Sequence, residues 1–294
     1  MLIFLEGVIV KIASEFCHVK TGEGEVIPCK ARGLFKKKGY KPLVGDRVKF
    51  KKAAQDLGYI EEILERSNEL KRPNISNVDQ VVIVVATKEP RTSYKLLDRL
   101  LVLSYFSGLT SLVCVNKIEL DEQIGKEISK KYHKIGYDTL TTSAKEKNGL
   151  DYLLKLLHNK TSVLAGASGV GKSSLINAIN PQFSLKTDKV SRKTGRGKHT
   201  TRHVALFELA ENTYVADTPG FSKLSFEGID YRILDRSFPD MYEYAIECKF
   251  NDCLHDREPG CRVKEAVGKD IFKDRYENYL EFLYELKKGA AYNG

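Results

Sequence analysis

The glycine-rich stretch TSVLAGASGVGKSS, at residues 161–174, contains the side chains with the clearest chemistry. Its core fits the pattern G-x-x-x-x-G-K-[ST], in which backbone N–H groups cradle phosphate oxygens. An apolar strand precedes the loop, and we expect a helix to start near Lys172 with its positive end facing the phosphates. Lys172 would bind the β- and γ-phosphates, and Ser173 would ligate Mg²⁺. The predicted nucleotide-contacting residues are Gly166, Ala167, Ser168, Gly169, Val170, Gly171, Lys172, Ser173 and Ser174.

Two shorter motifs follow predicted strands or helices upstream of this loop. They are Asn116-Lys117-Ile118-Glu119 and Ser143-Ala144-Lys145. Together they resemble the guanine-reading motifs of GTPases, usually written NKxD and SAK. A carboxylate at the fourth position can accept hydrogen bonds from N1–H and N2–H₂ of guanine, and adenine lacks that pair of donors. Glu119 stands where Asp is usual, which keeps the carboxylate but lengthens its reach by one methylene. The motifs predict a preference for guanine.

A third element, Asp217-Thr218-Pro219-Gly220, fits the pattern DxxG. In switch GTPases the aspartate of this element supports the Mg²⁺ shell, and the glycine N–H can sense the γ-phosphate. Residues 186–203 lie before it and carry seven Lys or Arg against one Asp. No apolar period runs through this segment, so we expect a mobile basic loop.

The surrounding pattern predicts an α/β domain. Continuous apolar runs at residues 81–86 and 111–115 are typical of buried strands in a parallel sheet. Leucines recur at helical spacing between them, and a further helix is expected at about 122–135, which gives βαβ connectivity.

The N-terminal part has a different pattern, with short β-rich runs separated by turn residues. We predict strands at residues 3–12, 16–20, 26–31, 44–51 and 59–63. Five short strands suit a small barrel of the OB type. A loop with Phe35 and Tyr40 also contains Lys36, Lys37, Lys38 and Lys41. It could track a phosphate backbone while its rings stack on bases, although a solvated lysine loop is an equal alternative.

Near the C-terminus, metal-ligating side chains occur at close spacing: Cys248, Cys253, His255 and Cys261. Three thiolates and an imidazole match a closed tetrahedral Zn²⁺ site, which can stabilise a domain with a small core. Chance clustering, with His255 as a surface residue, is the alternative. Cys17, Cys29 and Cys114 lie in strand-like segments, and we predict that they are buried thiols. Residues 271–288 place apolar side chains on one helical face, which predicts packing.

The order of these motifs is unusual. Small GTPases ordinarily have the phosphate loop first and the base-reading motifs last, whereas here the base-reading motifs come first. Such a site survives permutation because its elements lie on loops at one edge of a sheet. This order, with a preceding OB-like barrel and a trailing zinc motif, resembles the circularly permuted ribosome small-subunit-dependent GTPase A family, also known as the YjeQ or YloQ family. The resemblance covers the whole chain.

The resemblance implies a multidomain protein: an OB-like RNA-binding barrel at 1–66, a linker at 67–80, a permuted P-loop GTPase domain at 81–223, and a small zinc-binding domain with helices at 224–294. It implies binding to the small ribosomal subunit and its 16S-type rRNA during late maturation, with release after hydrolysis of GTP to GDP and phosphate. The implied cofactors are one structural Zn²⁺ per chain and Mg²⁺ with GTP.

The residue that drives hydrolysis needs a separate argument. Phe221 follows the DxxG element, where Ras-type GTPases have a glutamine that orients the attacking water. A phenyl ring cannot do this, but the basic loop offers His199, whose neutral imidazole can orient or deprotonate water near pH 7. The resemblance puts the catalytic histidine at this HTT motif, with Thr201 as the preferred γ-phosphate and Mg²⁺ partner and Thr200 as second choice. His203 is a nearby competitor, and a plain RNA-contacting role for His199 is the other interpretation.

Length and charge limit the remaining classes. The 294 residues are too many for one ordinary core, and a net charge of +9 suggests a polyanionic partner. With no long apolar run and no leader-like N-terminus, we expect a cytoplasmic monomer that is not bound to a membrane. Two other functions stay open: an RNA-binding module with a largely structural nucleotide site, and an ATP-using enzyme with a chance NKxE.

Overall fold

The computed structural model describes residues 4–31, 35, 40–53, 57–71, 73–183, 204–217 and 226–292. The chain divides into two compact units. The first draws on residues 1–80, 151–164 and 173–221, and the second on residues 81–150, 165–172 and 222–294. Within the described ranges, no helix has the length and apolar composition needed to cross a lipid bilayer.

Strands and helices are numbered in chain order. The strands are β1 (Leu5–Ala13), β2 (Phe16–Thr21), β3 (Val26–Ala31), β4 (Arg47–Lys52), β5 (Gly58–Ile63), β6 (Glu69–Lys71), β7 (Asn74–Ser76), β8 (Gln80–Ala86), β9 (Thr110–Asn116), β10 (Asp138–Thr141), β11 (Thr161–Ala165), β12 (Ala205–Ala210) and β13 (Thr213–Asp217). The α-helices are α1 (Tyr94–Phe106), α2 (Glu122–Lys134), α3 (Leu150–Leu157), α4 (Lys172–Ile179), α5 (Pro239–Ala245), α6 (Arg262–Ala266) and α7 (Lys273–Tyr292). Short 3₁₀ segments occupy Ile118–Leu120, Pro181–Phe183 and Tyr231–Ser237.

The first five strands form the predicted barrel. Their order is β1-β2-β3-β5-β4, and β4 also pairs with β1, which closes the sheet. Inward-facing side chains alternate along the strands and fill the interior: Ile9, Cys17, Val19, Ile27, Cys29, Val48, Phe50 and Ile60. Burial raises the pKa of Cys17 to about 11 and that of Cys29 to about 12, so both remain thiols. The predictions of a five-stranded barrel and of two buried thiols in it are confirmed.

A buried ion pair organises one edge of this barrel. Asp46 is fully buried, and its Oδ1 accepts hydrogen bonds from Arg66 Nε at 2.7 Å and from Ser76 Oγ at 2.6 Å. Its Oδ2 accepts from Arg66 Nη2 and from the Leu43 N–H, both at 2.8 Å. Because each carboxylate oxygen has two donors, the cost of burying the charge is offset.

Residues 67–80, which the sequence predicts as a linker, form the hairpin of β6 and β7. Side-chain amides support it: Asn68 Nδ2 donates to Val78 O at 2.7 Å, and Asn77 Nδ2 donates to Gly45 O at 2.9 Å. Asn and Ser are typical of linkers because they hydrogen-bond the backbone locally, and here those same bonds build regular structure.

The rest of the first unit extends the barrel sheet. Strand β12 pairs antiparallel with β1 at Lys11 and Ala205, and it forms a hairpin with β13. Strand β13 lies parallel to β11, which leads in the chain to the phosphate loop. Lys20 on β2 forms an ion pair with Glu208 on β12, so side chains also join the barrel to this hairpin.

The second unit contains a three-stranded arrangement in the order β10-β9-β8. All residues of β8 are buried, and β9 and β10 run parallel. Helix α1 connects β8 to β9, and α2 connects β9 to β10, as the apolar runs predict. Cys114 in β9 is fully buried, and burial raises its pKa to about 12, which confirms the third predicted thiol.

The C-terminal part of the second unit has a core of its own helices together with α1. On α7 the fully or almost fully buried apolar side chains are Tyr279, Phe282, Leu283 and Leu286. They pack with Val102 and Leu103 of α1 in one apolar cluster. The predicted packing role of this helix is confirmed.

A buried ionic cluster joins α7 to α1 at the margin of that core. Arg275 donates from Nη1 to Asp98 Oδ1 at 2.5 Å and from Nε to Asp240 Oδ1 at 2.9 Å. Asn278 Nδ2 donates to Asp98 Oδ2 at 2.7 Å, and Tyr132 OH donates to Oδ1 at 2.9 Å. Arg275 and Asp98 are each only 1% exposed. Loss of either partner would leave a buried charge unpaired, which would destabilise the folded protein.

Candidate functional site

The phosphate loop has a backbone that only glycine can adopt at two positions. Gly166 and Gly171 have φ angles of 134° and 99°. A Cβ at Gly166 would lie 2.1 Å from Val84 O, and one at Gly171 would lie 2.3 Å from Asn116 Nδ2. The predicted helix begins at Lys172, whose Nζ donates to Gly166 O at 3.0 Å and to Ala167 O at 2.8 Å. The ammonium is therefore held over the loop.

Asn116 connects the phosphate loop to both base-reading motifs. Its side chain is 1% exposed, and its Nδ2 donates to Val170 O at 2.9 Å. Its Oδ1 accepts from the Ala144 N–H and from Thr142 Oγ1, each at 3.2 Å. One amide thus ties together three segments that are far apart in sequence, and this is the spatial convergence that a nucleotide site requires.

Glu119 lies in the 3₁₀ segment that follows Asn116 and Lys117. Its Oε2 is buried and accepts no hydrogen bond from the described part of the chain. Ser143 is fully buried, and its Oγ accepts from the Glu146 N–H at 3.0 Å, which fixes the turn that carries Ala144 and Lys145. A carboxylate oxygen without a donor beside these fixed turns is an acceptor suited to a ligand.

The predicted Mg²⁺ and catalytic residues are only partly described. Ser173 and Ser174 lie half-buried in the first turn of α4. Asp217 is the last residue of β13, the parallel neighbour of β11. The side chain of Asp217 and the predicted residues His199, Thr200, Thr201 and Gly220 lie outside the described residues. Their roles stay predictions.

The four predicted metal ligands come together at one point. Their ligand atoms, in Cys248, Cys253, His255 and Cys261, all lie within 4.8 Å of one another. Cys248 Sγ lies 3.8 Å from Cys261 Sγ, and His255 Nδ1 lies 3.6 Å and 3.4 Å from these two sulfurs. Ligands around a tetrahedral ion with Zn–S and Zn–N lengths are separated by about 3.8 Å and 3.6 Å. The cluster has the shape of a closed four-ligand metal site.

The surroundings of this cluster favour a bound cation. Burial raises the pKa of Cys253 to about 12, and the neighbouring Cys261 adds to this rise. At Cys248 burial also acts to raise the pKa, but backbone N–H groups of Val263 and Arg262 outweigh it and lower the value. His255 Nε2 is buried, has no hydrogen-bond partner among the described residues, and lies 3.8 Å from Asp235 Oδ2.

Glu258 supports the metal cluster although no motif marks it. Its carboxylate accepts from the Leu254 N–H at 3.0 Å and from the Asp256 N–H at 2.9 Å, on either side of His255. His255 has a φ of 56°, an unfavourable backbone conformation that these bonds help to hold. Only the rule that ligands need support from neighbouring side chains could have predicted such a residue.

The proposed RNA-contacting loop of the barrel is partly different from the prediction. Phe35 is partly buried and packs against the barrel core, so only part of its ring surface is open to solvent. Tyr40 is 57% exposed, and the Arg66 guanidinium lies 5.8 Å from its ring centre. Lys41 is exposed, and Lys36, Lys37 and Lys38 lie outside the described residues.

Comparison with known protein families gives two matches, one in the N-terminal part and one in the central part of the chain. The model described as RsgA N-terminal domain matches residues 6–60, and the model described as RsgA GTPase matches residues 63–227. The second match includes the phosphate loop, both base-reading motifs and the DxxG element.

Named relatives match along almost the full length. A small ribosomal subunit biogenesis GTPase RsgA from Geobacillus kaustophilus is 48% identical over 288 residues, which span 96% of this chain and 98% of the relative. The protein of the same name from Bacillus subtilis is 44% identical over 291 residues, spanning 96% and 97% of the two chains.

Solved structures agree with these relatives. The crystal structure of YloQ, described as a circularly permuted GTPase, matches with a TM-score of 0.81 and 40% identity over 97% of this chain and 96% of that one. The crystal structure of YjeQ from Thermotoga maritima matches with a TM-score of 0.84 and 38% identity, over 97% and 99%. The chain therefore belongs to the RsgA GTPase family and is a circularly permuted GTPase.

Proposed function

We propose that this chain binds and hydrolyses GTP on a maturing small ribosomal subunit and that hydrolysis drives its release. The observation that carries the nucleotide choice is the buried, unpartnered Glu119 Oε2. Leaving a desolvated carboxylate oxygen without a donor is unfavourable, and guanine supplies N1–H and N2–H₂ where adenine does not. The relatives are named for small ribosomal subunit biogenesis, which supports the same partner here.

In this proposal the phosphate loop binds the nucleotide through its backbone N–H groups and Lys172. Ser173, Asp217 and Thr201 would hold Mg²⁺, which neutralises charge on the phosphates when it is bound. Asn116, Lys117, Ile118 and Glu119 read the base together with residues 143–145. The support for this assignment is that Asn116 contacts both the phosphate loop and the Ala144 N–H.

We assign the metal of the C-terminal cluster as Zn²⁺. Three sulfurs and one imidazole nitrogen form a donor set that zinc prefers, and the separations among Cys248, His255 and Cys261 suit its bond lengths. With all four positions supplied by the protein, the ion would have a structural role and no open position for substrate.

His199 is the proposed catalytic group for water, with Thr201 preferred over Thr200 as the γ-phosphate partner. The support comes from sequence: Phe221 cannot orient water, and His199 lies in the segment that joins the phosphate-loop helix to the β12–β13 hairpin. In this scheme, polyanionic rRNA would bind the basic loop and bring the histidine to the γ-phosphate.

We propose the domain boundaries 1–66, 81–223 and 224–294, with residues 67–80 as the connection, and a cytoplasmic location. Folding of the 67–80 segment into a hairpin makes the connection stiffer than a flexible linker. The barrel is proposed to contact rRNA through exposed Lys41 and neighbouring lysines, mainly at phosphates.

A GTPase assay with and without purified small subunits tests the central proposal. We expect slow turnover alone and strong stimulation by subunits but not by free RNA. Absence of stimulation would favour an RNA-binding module with a structural nucleotide site, and equal competition by ATP would overturn the guanine assignment. His199→Ala should keep nucleotide and subunit binding while losing most of the stimulated rate, whereas Lys172→Ala should weaken nucleotide binding itself.

A further inference from the structure

We propose that Thr87 is a positioning residue that sets guanine specificity by fixing the backbone of Lys117. Thr87 follows β8 and belongs to none of the GTPase motifs described above. The inference rests on the base-reading role proposed for residues 116–119, and it adds a residue that is 29 positions before that segment.

Lys117 has an unusual backbone conformation that decides where Glu119 lies. Its φ and ψ are 61° and 38°, in the left-handed region that side chains other than glycine rarely adopt. This residue lies between the end of β9 at Asn116 and the start of the 3₁₀ segment Ile118–Leu120. If Lys117 relaxed to an ordinary conformation, the chain would leave β9 in another direction and the Glu119 carboxylate would move with it.

Thr87 makes the contact that holds this conformation. The side chain is fully buried, and its Oγ1 donates to Lys117 O at 2.7 Å. The Thr87 N–H also donates to Asn116 O at 3.3 Å. Thr87 therefore binds the carbonyl before Lys117 and the carbonyl of Lys117 itself. Among the described contacts, the hydroxyl is the one side-chain donor to Lys117 O, which also accepts from the Leu120 N–H at 3.0 Å. Removing the hydroxyl takes away the shorter of these two bonds and the one that ties the turn to the segment after β8.

Packing fixes the Thr87 side chain from the other side. A Cβ built on Gly125 of α2 would lie 3.3 Å from Thr87 Cγ2 and 3.1 Å from Ile118 Cγ2, so the methyl group sits close against this helix. With the methyl held there, the rotamer is set and the hydroxyl faces Lys117. Threonine therefore provides both the hydrogen bond and the packed methyl group. Valine would keep only the packing, and serine would keep only the hydrogen bond.

The neighbouring residues brace the same turn. Lys88 Nζ lies 3.0 Å from Asp121 Oδ2, just after the 3₁₀ segment, and Lys117 Nζ donates to Glu89 O. These contacts are more exposed than the Thr87 bond, so we expect them to contribute less. The segment after β8 thus holds the base-reading segment along its length, with Thr87 as the buried contact.

The test compares three variants of the full-length protein. Thr87→Val keeps the shape but removes the hydroxyl, and Thr87→Ser keeps the hydroxyl but removes the methyl. Thr92→Val is the matched control, because Thr92 Oγ1 donates at 2.6 Å to the Ala86 carbonyl in the same segment and no described hydrogen bond joins it to Lys117. Affinities for GDP, for inosine diphosphate and for ADP are measured by competition with a fluorescent guanine nucleotide. Inosine lacks the 2-amino group, so the ratio of GDP to inosine diphosphate affinity reports on the Glu119 hydrogen bonds.

We expect Thr87→Val to weaken GDP binding about fivefold and to reduce the preference for GDP over inosine diphosphate. Thr87→Ser should stay near the parent in both measurements, and so should Thr92→Val. Parent-like affinity and preference in Thr87→Val, or an equal loss in Thr92→Val, would overturn the inference. If Thr87→Val does not fold, Thr87→Ala is measured in the same way and with the same criteria. A parent protein that binds ADP as tightly as GDP would instead overturn the proposed function, whatever the variants do.

Discussion

The barrel and the C-terminal region are both small, but different interactions stabilise them. The barrel closes its sheet around eight buried apolar side chains contributed by its own strands. The C-terminal region has two short helices, the 20-residue helix α7, a four-residue cluster that could hold a metal ion, and an apolar core that includes residues of α1. The barrel core is self-contained, whereas the C-terminal core includes a helix from elsewhere in the chain and lies beside a cluster that could hold a metal ion.

Each region has an aspartate–arginine pair with a buried aspartate, and the two pairs differ in how far apart their residues are in sequence. Asp46 and Arg66 are 20 residues apart and hold a local edge of the barrel. Asp98 and Arg275 are 177 residues apart and join α1 to α7. The same chemical pair therefore stabilises a turn in one region and the attachment of a whole helix in the other. Substitutions in the two pairs should therefore lower the free energy of unfolding by different amounts.

Metal removal should have the largest effect and should be confined to the C-terminal region. We expect Cys253→Ala, or a strong chelator, to unfold residues 231–292, because metal binding contributes on the order of 10 kcal/mol to such a fold. Amide hydrogen exchange by mass spectrometry should show faster exchange there and unchanged exchange in the barrel strands. Metal analysis should find about one Zn²⁺ per parent chain. A Cys253→Ala variant with unchanged metal content would contradict the ligand assignment, and Cys29→Ala in the barrel is the control.

The next largest effect is expected for Arg275→Ala. This change leaves the Asp98 and Asp240 carboxylates buried without a cation, which should lower the free energy of unfolding by about 3–5 kcal/mol. Urea denaturation followed by tyrosine fluorescence measures it. The matched control is Arg232→Ala, because Arg232 pairs with Asp230 at the surface and its side chain is 72% exposed. Similar losses in both variants would show that burial of the pair is not what matters.

Asp46→Ala should destabilise the barrel by a smaller amount, about 2–3 kcal/mol. Arg66 then keeps its partner Glu69 and some access to water, unlike the carboxylates left by the loss of Arg275. Hydrogen exchange should increase in the barrel and in the β6–β7 hairpin but not around the metal cluster. The surface variant Glu62→Ala, which removes a partner of Lys49, is the control and should change neither. Faster exchange around the metal cluster would argue against independent cores.

The smallest effect is expected for Glu258→Gln, and it should depend on pH. Burial acts to raise the pKa of the Glu258 carboxyl, but backbone N–H groups donating to it outweigh this and lower the pKa. A lowered pKa in the folded state stabilises the protein above the usual glutamate pKa, and the gain is lost as pH falls through the lowered value. Thermal unfolding should therefore show a loss of roughly 1 kcal/mol or less near pH 7 that disappears in acid. The control is Glu265→Gln. Glu265 is exposed and pairs with Arg262 at the surface, so this change should have little effect on thermal unfolding.

Features built from residues close together in the sequence could be predicted, whereas contacts between residues far apart in the sequence could not. The phosphate loop, residues 116–119 and the metal ligands are short motifs, so their local pattern is sufficient. The pairing of Asp98 with Arg275 could not be predicted, because a charged residue that ends up buried has the same sequence signal as one in solvent. Thr87 is likewise one threonine among many until its distance to Lys117 O is known. Phe35 was ambiguous from sequence, because an aromatic residue next to lysines suits a core as well as a stacking surface.

The pairing of β1 with β12 affects how the barrel can be studied by deletion. Strand β12 has β1 on one side and β13 on the other. Removing the barrel would leave the free side of β12 as an open row of backbone donors and acceptors, which invites pairing with another molecule. A shortened protein could then lose activity through self-association, even if its nucleotide site were intact. Single substitutions at exposed lysines such as Lys41 avoid this confusion, because they remove a charge and leave the hydrogen-bonded edge covered.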